Sequence, residues 1–214
     1  MVAIIHNSGN AKKQDAILSA AQKRLGLYGF EKTTMSEIAA DLNLSKASLY
    51  YYFPDKESLW CAVLDKEQDE FFSLMNSRLK EYYDPETIIS EFVKWRHGYF
   101  TTFLNLTKFR FSDRNELRPH YRTMIDKFRK HEEQQVTGIL KQGVLSGVFD
   151  IENPEQTARM FLEILHGLRL VVVRQKPMVE LTGEDYDNML KKQQDFIALF
   201  IRSVKNHNQI NPKK

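Results

Sequence analysis

Residues 45–53 read SKASLYYYF and combine side chains that bind phosphate with three adjacent aromatic rings. Hydroxyl and ammonium groups donate hydrogen bonds to phosphate oxygens, and a tyrosine hydroxyl does the same from further out. Consecutive helical residues point about 100° apart, so a helix cannot bury Tyr50, Tyr51 and Tyr52 together. At least one of these rings therefore faces outward, where a nucleic-acid backbone is one surface that it can meet.

The residues before this stretch predict a helix that leads into it. Apolar side chains recur from Met35 to Leu42 at positions i, i+3, i+4 and i+7, which lie on one face of a helix. Thr34 and Glu37 have the spacing of a capping box, in which each side chain bonds the other residue's backbone N–H. Ala39 is small where a second helix must cross closely. The pattern predicts a helix that begins after Thr34.

A tight turn and a second short helix are predicted next. Asn43 suits the turn, because asparagine tolerates a positive φ. Ser45 can cap the second helix, whose inner side then carries Leu49 and Phe53. Two helices joined in this way form a helix-turn-helix, in which the second helix enters the major groove of DNA. The alternative is a surface hairpin whose tyrosines pack on neighbouring helices.

The outward face of the second helix has the chemistry of a DNA-contacting surface. Tyr51 projects sideways with its hydroxyl available to a phosphate. Lys56 lies at the predicted start of the next helix, where a cationic side chain and backbone N–H groups can hold another phosphate. The residues expected to meet base edges and phosphates at the start of the second helix are Ser45, Lys46, Ala47 and Ser48.

Residues 16–64 resemble a known family without a gap. They read AILSAAQKRLGLYGFEKTTMSEIAADLNLSKASLYYYFPDKESLWCAVL. The motifs GFEKTTMSEIA, LSKASLYYYF and DKESL closely resemble those of the N-terminal DNA-binding region of the TetR family of bacterial transcriptional regulators. Asn43 stands where glycine is commoner in that family. The resemblance implies DNA contacts at Thr34, Ser45, Lys46, Ala47, Ser48, Tyr50, Tyr51, Tyr52 and Lys56.

The resemblance also implies a three-helix DNA-binding domain joined to an all-helical domain that binds a ligand and dimerises. The sequence itself predicts an all-α fold, because only six prolines are present and no sustained two-residue alternation appears. Cap signals divide the chain into about nine helices. We expect a flexible tail at 1–10, a helix-turn-helix domain at 11–54, a ligand-binding and dimerisation domain at 55–206, and a polar tail at 207–214.

Cap residues predict where individual helices begin and end. The first helix is expected from about residue 12, and Gly29 is expected to end it. Asp55, Asp84 and Asn153 each stand where they can cap a following helix, and proline follows the last two in the first helical turn. Further helices are predicted at 117–146 and 184–205.

The composition fits a cytoplasmic protein that does not span a membrane. The chain is 42% hydrophobic and 28% charged, and no run approaches ~18 apolar residues. The N-terminal residues lack the apolar core of a signal peptide, and the single cysteine, Cys61, excludes a disulfide framework. The net charge of +3 is too small to indicate a nucleic-acid partner by itself. Residues 105–130 carry eight Lys and Arg against three acidic residues, a pattern typical of a solvated face.

Two helices near the C-terminus predict a homodimer. The stretch LKQGVLSGVFDIENPEQTARMFLEILHGL also looks like the TetR family's transition into its dimer helices. Residues 158–173 leave almost no polar face, and a helix that is apolar all round is buried on both sides. Two such helices per subunit would form an isologous four-helix interface, with a larger monomeric core as the alternative. The expected interface residues are Ala158, Leu162, Leu165, Val172, Tyr186, Ile197, Phe200, Ile201 and Val204.

Aromatic residues on the middle helices suggest an apolar pocket for a small effector. A filled core without a pocket is the alternative. Polar residues interrupt the apolar lining and would orient a ligand. The expected ligand is mostly apolar, with or without an anionic group at one end. The candidate ligand-binding residues are Phe72, Trp95, His97, Tyr99, Phe103, Phe128, Phe161, His166 and Arg169.

Catalytic, metal and cofactor sites are not predicted. The histidines lack His-x₃-His or HExxH spacing, Ser45 and Ser48 have no adjacent base, and no glycine-rich phosphate loop is present. We expect a homodimeric repressor that binds a pseudo-palindromic operator and releases it when an effector binds. An activator of the same fold, an adaptor without DNA binding, and an enzyme that uses the aromatic pocket are the alternatives.

Overall fold

The protein consists of α-helices, as its sequence predicts. The structure, a computed structural model, describes residues 2–102, 118–175 and 181–206. Eight helices lie in these ranges, against about nine expected from the cap signals. They are α1 (Val2–Lys32), α2 (Met35–Asp41), α3 (Lys46–Tyr52), α4 (Lys56–Leu79), α5 (Pro85–Thr102), α6 (Arg118–Leu145), α7 (Pro154–Gln175) and α8 (Gly183–Val204).

The predicted caps are present at the starts of α4, α5 and α7. Asp55, Asp84 and Asn153 each accept a hydrogen bond from the backbone N–H three residues on, at 2.6, 2.9 and 3.0 Å. These bonds satisfy N–H groups that have no partner inside the helix. An additional capping box, formed by Thr182 and Asp185, begins α8 and was not anticipated.

Helix α1 begins earlier than predicted. The sequence indicates a loose segment before residue 12, whereas the backbone is helical from Val2. Gly29 interrupts the helical geometry with φ 79° and ψ 170°, at the position where the helix is predicted to end. Glycine is suited to this positive φ because it has no Cβ. The hydroxyl of Thr33 donates to the Gly29 carbonyl at 2.8 Å and holds the chain after the interruption.

The chain divides into two compact units. The first comprises Met1–Glu70 and Phe103–Ile125, and the second comprises Phe71–Thr102 and Asp126–Lys214. The predicted domain boundary at residue 54 is earlier than the end of the first segment. The reason is that one face of α4, including Leu59 and Val63, belongs to the core of the first unit.

The first unit has one continuous apolar core. Helices α1, α2, α3 and the first half of α4 contribute to it, and Met124 from α6 joins them. Phe30 and Trp60 meet edge to face, with ring centroids 5.6 Å apart. The other fully or nearly buried members are Ile17, Ala21, Leu25, Met35, Ile38, Ala39, Leu49, Phe53, Leu59, Val63 and Leu64.

In the second unit, helix α8 packs against both α5 and α7. Phe161 of α7 lies against Phe200 of α8, with centroids 4.7 Å apart. At the end of α6, the backbone at Gly143 approaches the ring of Phe149 so closely that a Cβ there would lie 2.0 Å from it. None of the helices in the described ranges is long and apolar enough to cross a membrane.

Candidate nucleic-acid interface

A tight turn between α2 and α3 sets the direction of α3. Asn43 has φ 53°, which confirms the positive φ expected of it. The N–H of Leu44 donates to the carbonyl of Ala39 at 2.9 Å and closes the turn. Ala39 is buried, as its small size suggests for a close crossing. The turn is thus held by backbone bonds and by a small residue beneath it.

Side chains on α1 and α2 hold α2 in place. The guanidinium of Arg24 donates two hydrogen bonds to Asp41, at 2.7 and 2.8 Å, and lies 3.4 Å from Glu37. The predicted capping box of Thr34 and Glu37 is formed. The Thr34 hydroxyl lowers the pKa of Glu37, and the Arg24 guanidinium lowers the pKa of Asp41. Both carboxylates are therefore charged at neutral pH and act as fixed partners.

Helix α3 is a short helix anchored at both ends. The Ser45 hydroxyl accepts a hydrogen bond from the N–H of Ser48 at 3.1 Å, as predicted for its cap. Leu49 is fully buried, and Phe53 follows the helix into the same core. Leu49 is the only buried residue within α3, while Lys46, Ala47, Tyr50 and Tyr51 stay exposed.

The outward face of α3 carries hydroxyl, ammonium and phenol groups. Ser45, Lys46 and Ala47 are exposed. Tyr51 is 76% exposed, which confirms that it faces outward. Tyr50 is 40% exposed, and the Lys46 ammonium lies 5.7 Å from its ring centroid in a cation–π arrangement.

Tyr52 and Tyr50 have different roles in the structure. Tyr52 packs against the apolar core, and its hydroxyl donates to Asn10 of α1 at 2.6 Å. It therefore supports α3 from within. Tyr50 lies on the outer surface beside Lys46, because its position on α3 points away from the core.

Lys56, for which the sequence predicts a phosphate contact, also has partners within the fold. Its ammonium donates to the carbonyls of Phe30 and Thr33, at 2.8 and 3.0 Å. It also lies 4.2 Å from the ring centroid of Phe30. Lys56 therefore ties the start of α4 to the segment between α1 and α2.

Comparison with known proteins decides the family. Residues 17–63 match the family model described as bacterial regulatory proteins, tetR family. A solved transcriptional regulator from Cytophaga hutchinsonii ATCC 33406 is 35% identical, with a TM-score of 0.82 over 90% of this chain and 98% of that one. This chain belongs to the TetR family of DNA-binding transcriptional regulators. The all-α fold and the helix-turn-helix are thus those of its family.

Two further comparisons of this TetR-family chain concern a segment of its sequence and its fold. The HTH-type transcriptional regulator RutR of Escherichia coli K12 is 37% identical over 82 residues, which are 38% of this chain and 38% of RutR. The chain thus matches little more than a third of that curated relative. A TetR-family regulator from Pectobacterium atrosepticum has a TM-score of 0.68 at 17% identity, covering 92% of this chain and 96% of that one. At that identity the likeness concerns the fold alone.

The aromatic residues predicted to line a pocket mostly fill one another's space. Phe72 and Tyr99 each pack against Phe128, with ring centroids 5.0 and 5.6 Å apart. Phe71 joins them and stacks on Tyr99 at 3.9 Å. This cluster fits the alternative of a filled core. Phe103 lies outside the described residues.

The remaining ligand candidates are dispersed through the second unit. The guanidinium carbon of Arg78 lies over Trp95, 5.5 Å from the centroid of the Trp95 ring. Phe161 is fully buried between α7 and α8. His97 is buried, and its desolvation lowers its pKa. A hydrogen bond with Gln193 and the charge of Asp187 oppose this effect, but the pKa of His97 stays below its ordinary value.

Most predicted dimer residues are already buried in a single chain. Ala158 and Leu165 have no exposed surface. The other predicted dimer residues that face the core keep less than a tenth of their surface exposed. The apolar side chains that stay exposed on α7 and α8 lie elsewhere on those helices, because only one face of each helix meets the chain's own core. They include Met160, Ile164, Leu170, Val171 and Leu199. The core-facing candidates are Ala158, Leu165, Ile197, Phe200 and Val204.

A charged cleft in the second unit was not predicted. Three arginines, three glutamates, one histidine and one leucine line it, and its volume is about 290 Å³. His166 is the ligand candidate found there. The signal was present in the sequence, because Arg159, Glu163 and His166 follow one another at helical spacing. Within the described ranges, no group of His, Cys, Asp and Glu could hold a metal ion.

Proposed function

We propose that this chain is a homodimeric repressor that releases its operator when a small effector binds. The observation that carries the DNA-binding role is α3, a capped helix with one buried anchor and an outer face of Lys46, Tyr50 and Tyr51. A fixed backbone with free polar groups is what readout of a major groove requires. An activator would use the same surface, and the difference lies in where the operator stands relative to the promoter.

Each residue of this surface has a proposed part in DNA binding. Ser45, Lys46, Ala47 and Ser48, at the start of α3, would meet base edges and phosphates. The exposed hydroxyl of Tyr51 would reach a phosphate at the side of the groove. The remaining proposed contacts, which also have internal partners, are Thr34, Tyr50, Tyr52 and Lys56.

The proposed dimer places two copies of α3 on one operator. Successive major grooves on one face of DNA are about 34–36 Å apart, which one short helix cannot span. The exposed apolar residues of α7 and α8, among them Met160 at 54% and Leu199 at 61%, support an interface on those helices. A two-fold axis there would make the interface isologous and the operator pseudo-palindromic.

Effector control would work by a shift between two states. A ligand that binds the non-DNA-binding state more tightly lowers the operator affinity by the ratio of its two affinities. The operator lowers the ligand affinity by the same ratio, because the coupling is reciprocal.

A mobility shift with the DNA that flanks the chain's own gene tests this proposal. Lys46→Gln should weaken operator binding and reduce the slope of log K against log salt by about 0.9, the value for one lost phosphate contact. Lys192→Gln removes the same charge from an exposed position on α8 and serves as the control. Weaker binding by Lys46→Gln alone supports a regulator that binds DNA through α3. Full binding by both variants would remove α3 from the interface, and no shift with the unmodified chain would favour an adaptor or an enzyme.

A further inference from the structure

The charged cleft of the second unit lies among α5, α6 and α7. Two ion pairs join residues that line the cleft to one another. Arg96 of α5 forms a bidentate pair with Glu132 of α6, and both side chains are only 4% exposed. Arg159 of α7 bonds Glu133 of α6 at 2.9 Å. These pairs use two of the three glutamates and two of the three arginines, so they leave little of their charge to a ligand.

Arg129 is the third arginine of the cleft, and it stands on α6 one helical turn before Glu132 and Glu133. Among the residues that the structure describes, no acidic side chain lies within ion-pair distance of it. A guanidinium on a concave surface can take both oxygens of a carboxylate in parallel hydrogen bonds. Arg129 is therefore the group of the cleft best suited to an anion.

The pKa of His166 depends on the charged groups around the same cleft. Its desolvation lowers its pKa first, and the guanidiniums of Arg129, Arg96 and Arg169 lower it further. The imidazole is therefore neutral at pH 7, yet it keeps one N–H donor. The guanidinium of Arg129 is thus close enough to His166 to act on its charge, and the two residues line the same cleft.

We propose that this cleft binds the carboxylate of a small organic acid through Arg129, with His166 as a neutral hydrogen-bond donor beside it. The inference rests on the proposed function, in that the acid would be the effector. It replaces the mostly apolar effector expected from the sequence, because the aromatic rings that were to bind it pack on one another.

The size and the lining of the cleft define the class of acid. Its volume of about 290 Å³ is at the lower end of ligand pockets, which are about 300–1,000 Å³, so the acid is smaller than a typical drug molecule. Glu163 lines the same cleft as a third carboxylate. It favours an acid with a hydroxyl or amino group at its other end, which can donate a hydrogen bond to Glu163.

Calorimetry on the full chain without DNA tests the site. The probes are lactate, benzoate, 4-hydroxybenzoate and succinate, each paired with its neutral amide. We expect at least one acid to bind about tenfold to a hundredfold more tightly than its amide, the effect of a hydrogen bond to a charged group. Arg129→Gln should abolish the preference, whereas Arg129→Lys should keep part of it as a single charge without the bidentate geometry.

Lys130→Gln is the matched control, because Lys130 is exposed, follows Arg129 on α6 and does not line the cleft. It should bind the acids as the unmodified chain does. Circular dichroism should find Arg129→Gln folded, since Arg129 is exposed. The proposal is overturned if no acid binds, if the amides bind equally well, or if the preference survives in Arg129→Gln.

Mobility shifts separate the effector role from the regulator itself. An acid that binds in calorimetry should also release the operator, and Arg129→Gln should remain on the DNA. Acid binding without DNA release would refute the effector role. Release by a neutral compound but by no acid would refute the present inference and leave the repressor intact.

Discussion

Replacing Lys56 by methionine should lower the free energy of unfolding. This loss should be larger than the effect of one lost phosphate contact on the free energy of DNA binding. The ammonium donates to the carbonyls of Phe30 and Thr33 at 2.8 and 3.0 Å and lies 4.2 Å from the ring centroid of Phe30. Methionine keeps most of the apolar stem but removes all three interactions. Both carbonyl groups then lose their charged donor.

The expected loss follows from these contacts. Hydrogen bonds to charged groups contribute about 1.5–3 kcal/mol in general, and the half-buried position of Lys56 calls for the lower end of that range. The cation–π contact adds about 0.5 kcal/mol. Since the two hydrogen bonds share one ammonium, their effects are not additive, and we expect the free energy of unfolding to fall by about 2–3 kcal/mol.

Urea unfolding measures the loss, and mobility shifts measure DNA binding on the same samples. Lys46→Met is the matched control, because Lys46 is exposed on α3 and its ammonium lies beside the ring of Tyr50. It should change the unfolding free energy by less than about 0.5 kcal/mol and still weaken DNA binding. A Lys56→Met variant of unchanged stability with reduced DNA affinity would refute the structural role of Lys56.

Four further substitutions test other parts of the structure. Gly143→Ala should cost about 1–3 kcal/mol in urea unfolding, because its Cβ would lie 2.0 Å from the buried ring of Phe149. Leu199→Glu should shift a dimer toward folded monomer in light scattering, whereas Leu165→Glu should unfold the chain, because Leu165 has no exposed surface. His97 has a lowered pKa in the fold, so its stabilising effect is complete above about pH 6.5 and declines as the pH falls. In urea unfolding between pH 8 and 5, the free energy of unfolding of His97→Gln should fall less with decreasing pH than that of the unmodified chain.

Each of these expectations has a contradicting outcome. An unchanged or raised stability of Gly143→Ala would mean that the Phe149 ring moves away at little cost. A dimeric Leu199→Glu variant would place the interface elsewhere, and a folded Leu165→Glu variant would contradict its place in the core. Equal pH dependence with and without His97 would show that other groups cause the decline.

The sequence alone determined the helix-turn-helix, because its signals are local. The capping box of Thr34 and Glu37, the positive φ of Asn43 and the cap at Ser45 each involve residues no more than three apart. Such interactions depend on the types of neighbouring residues, so the sequence pattern is enough to predict them. The family resemblance also depends on this segment, since the family model matches residues 17–63.

The tertiary structure decided which groups are free to meet a ligand, DNA or a partner. The acceptors of the Lys56 ammonium are 26 and 23 residues away, and Glu132 is 36 residues from Arg96. Periodicity told us that α7 is apolar on several faces, but not that Leu165 meets its own core while Ile164 stays exposed. Helical spacing defines which side chains share a face, whereas the partner of that face depends on how distant segments pack, and no local pattern contains that information.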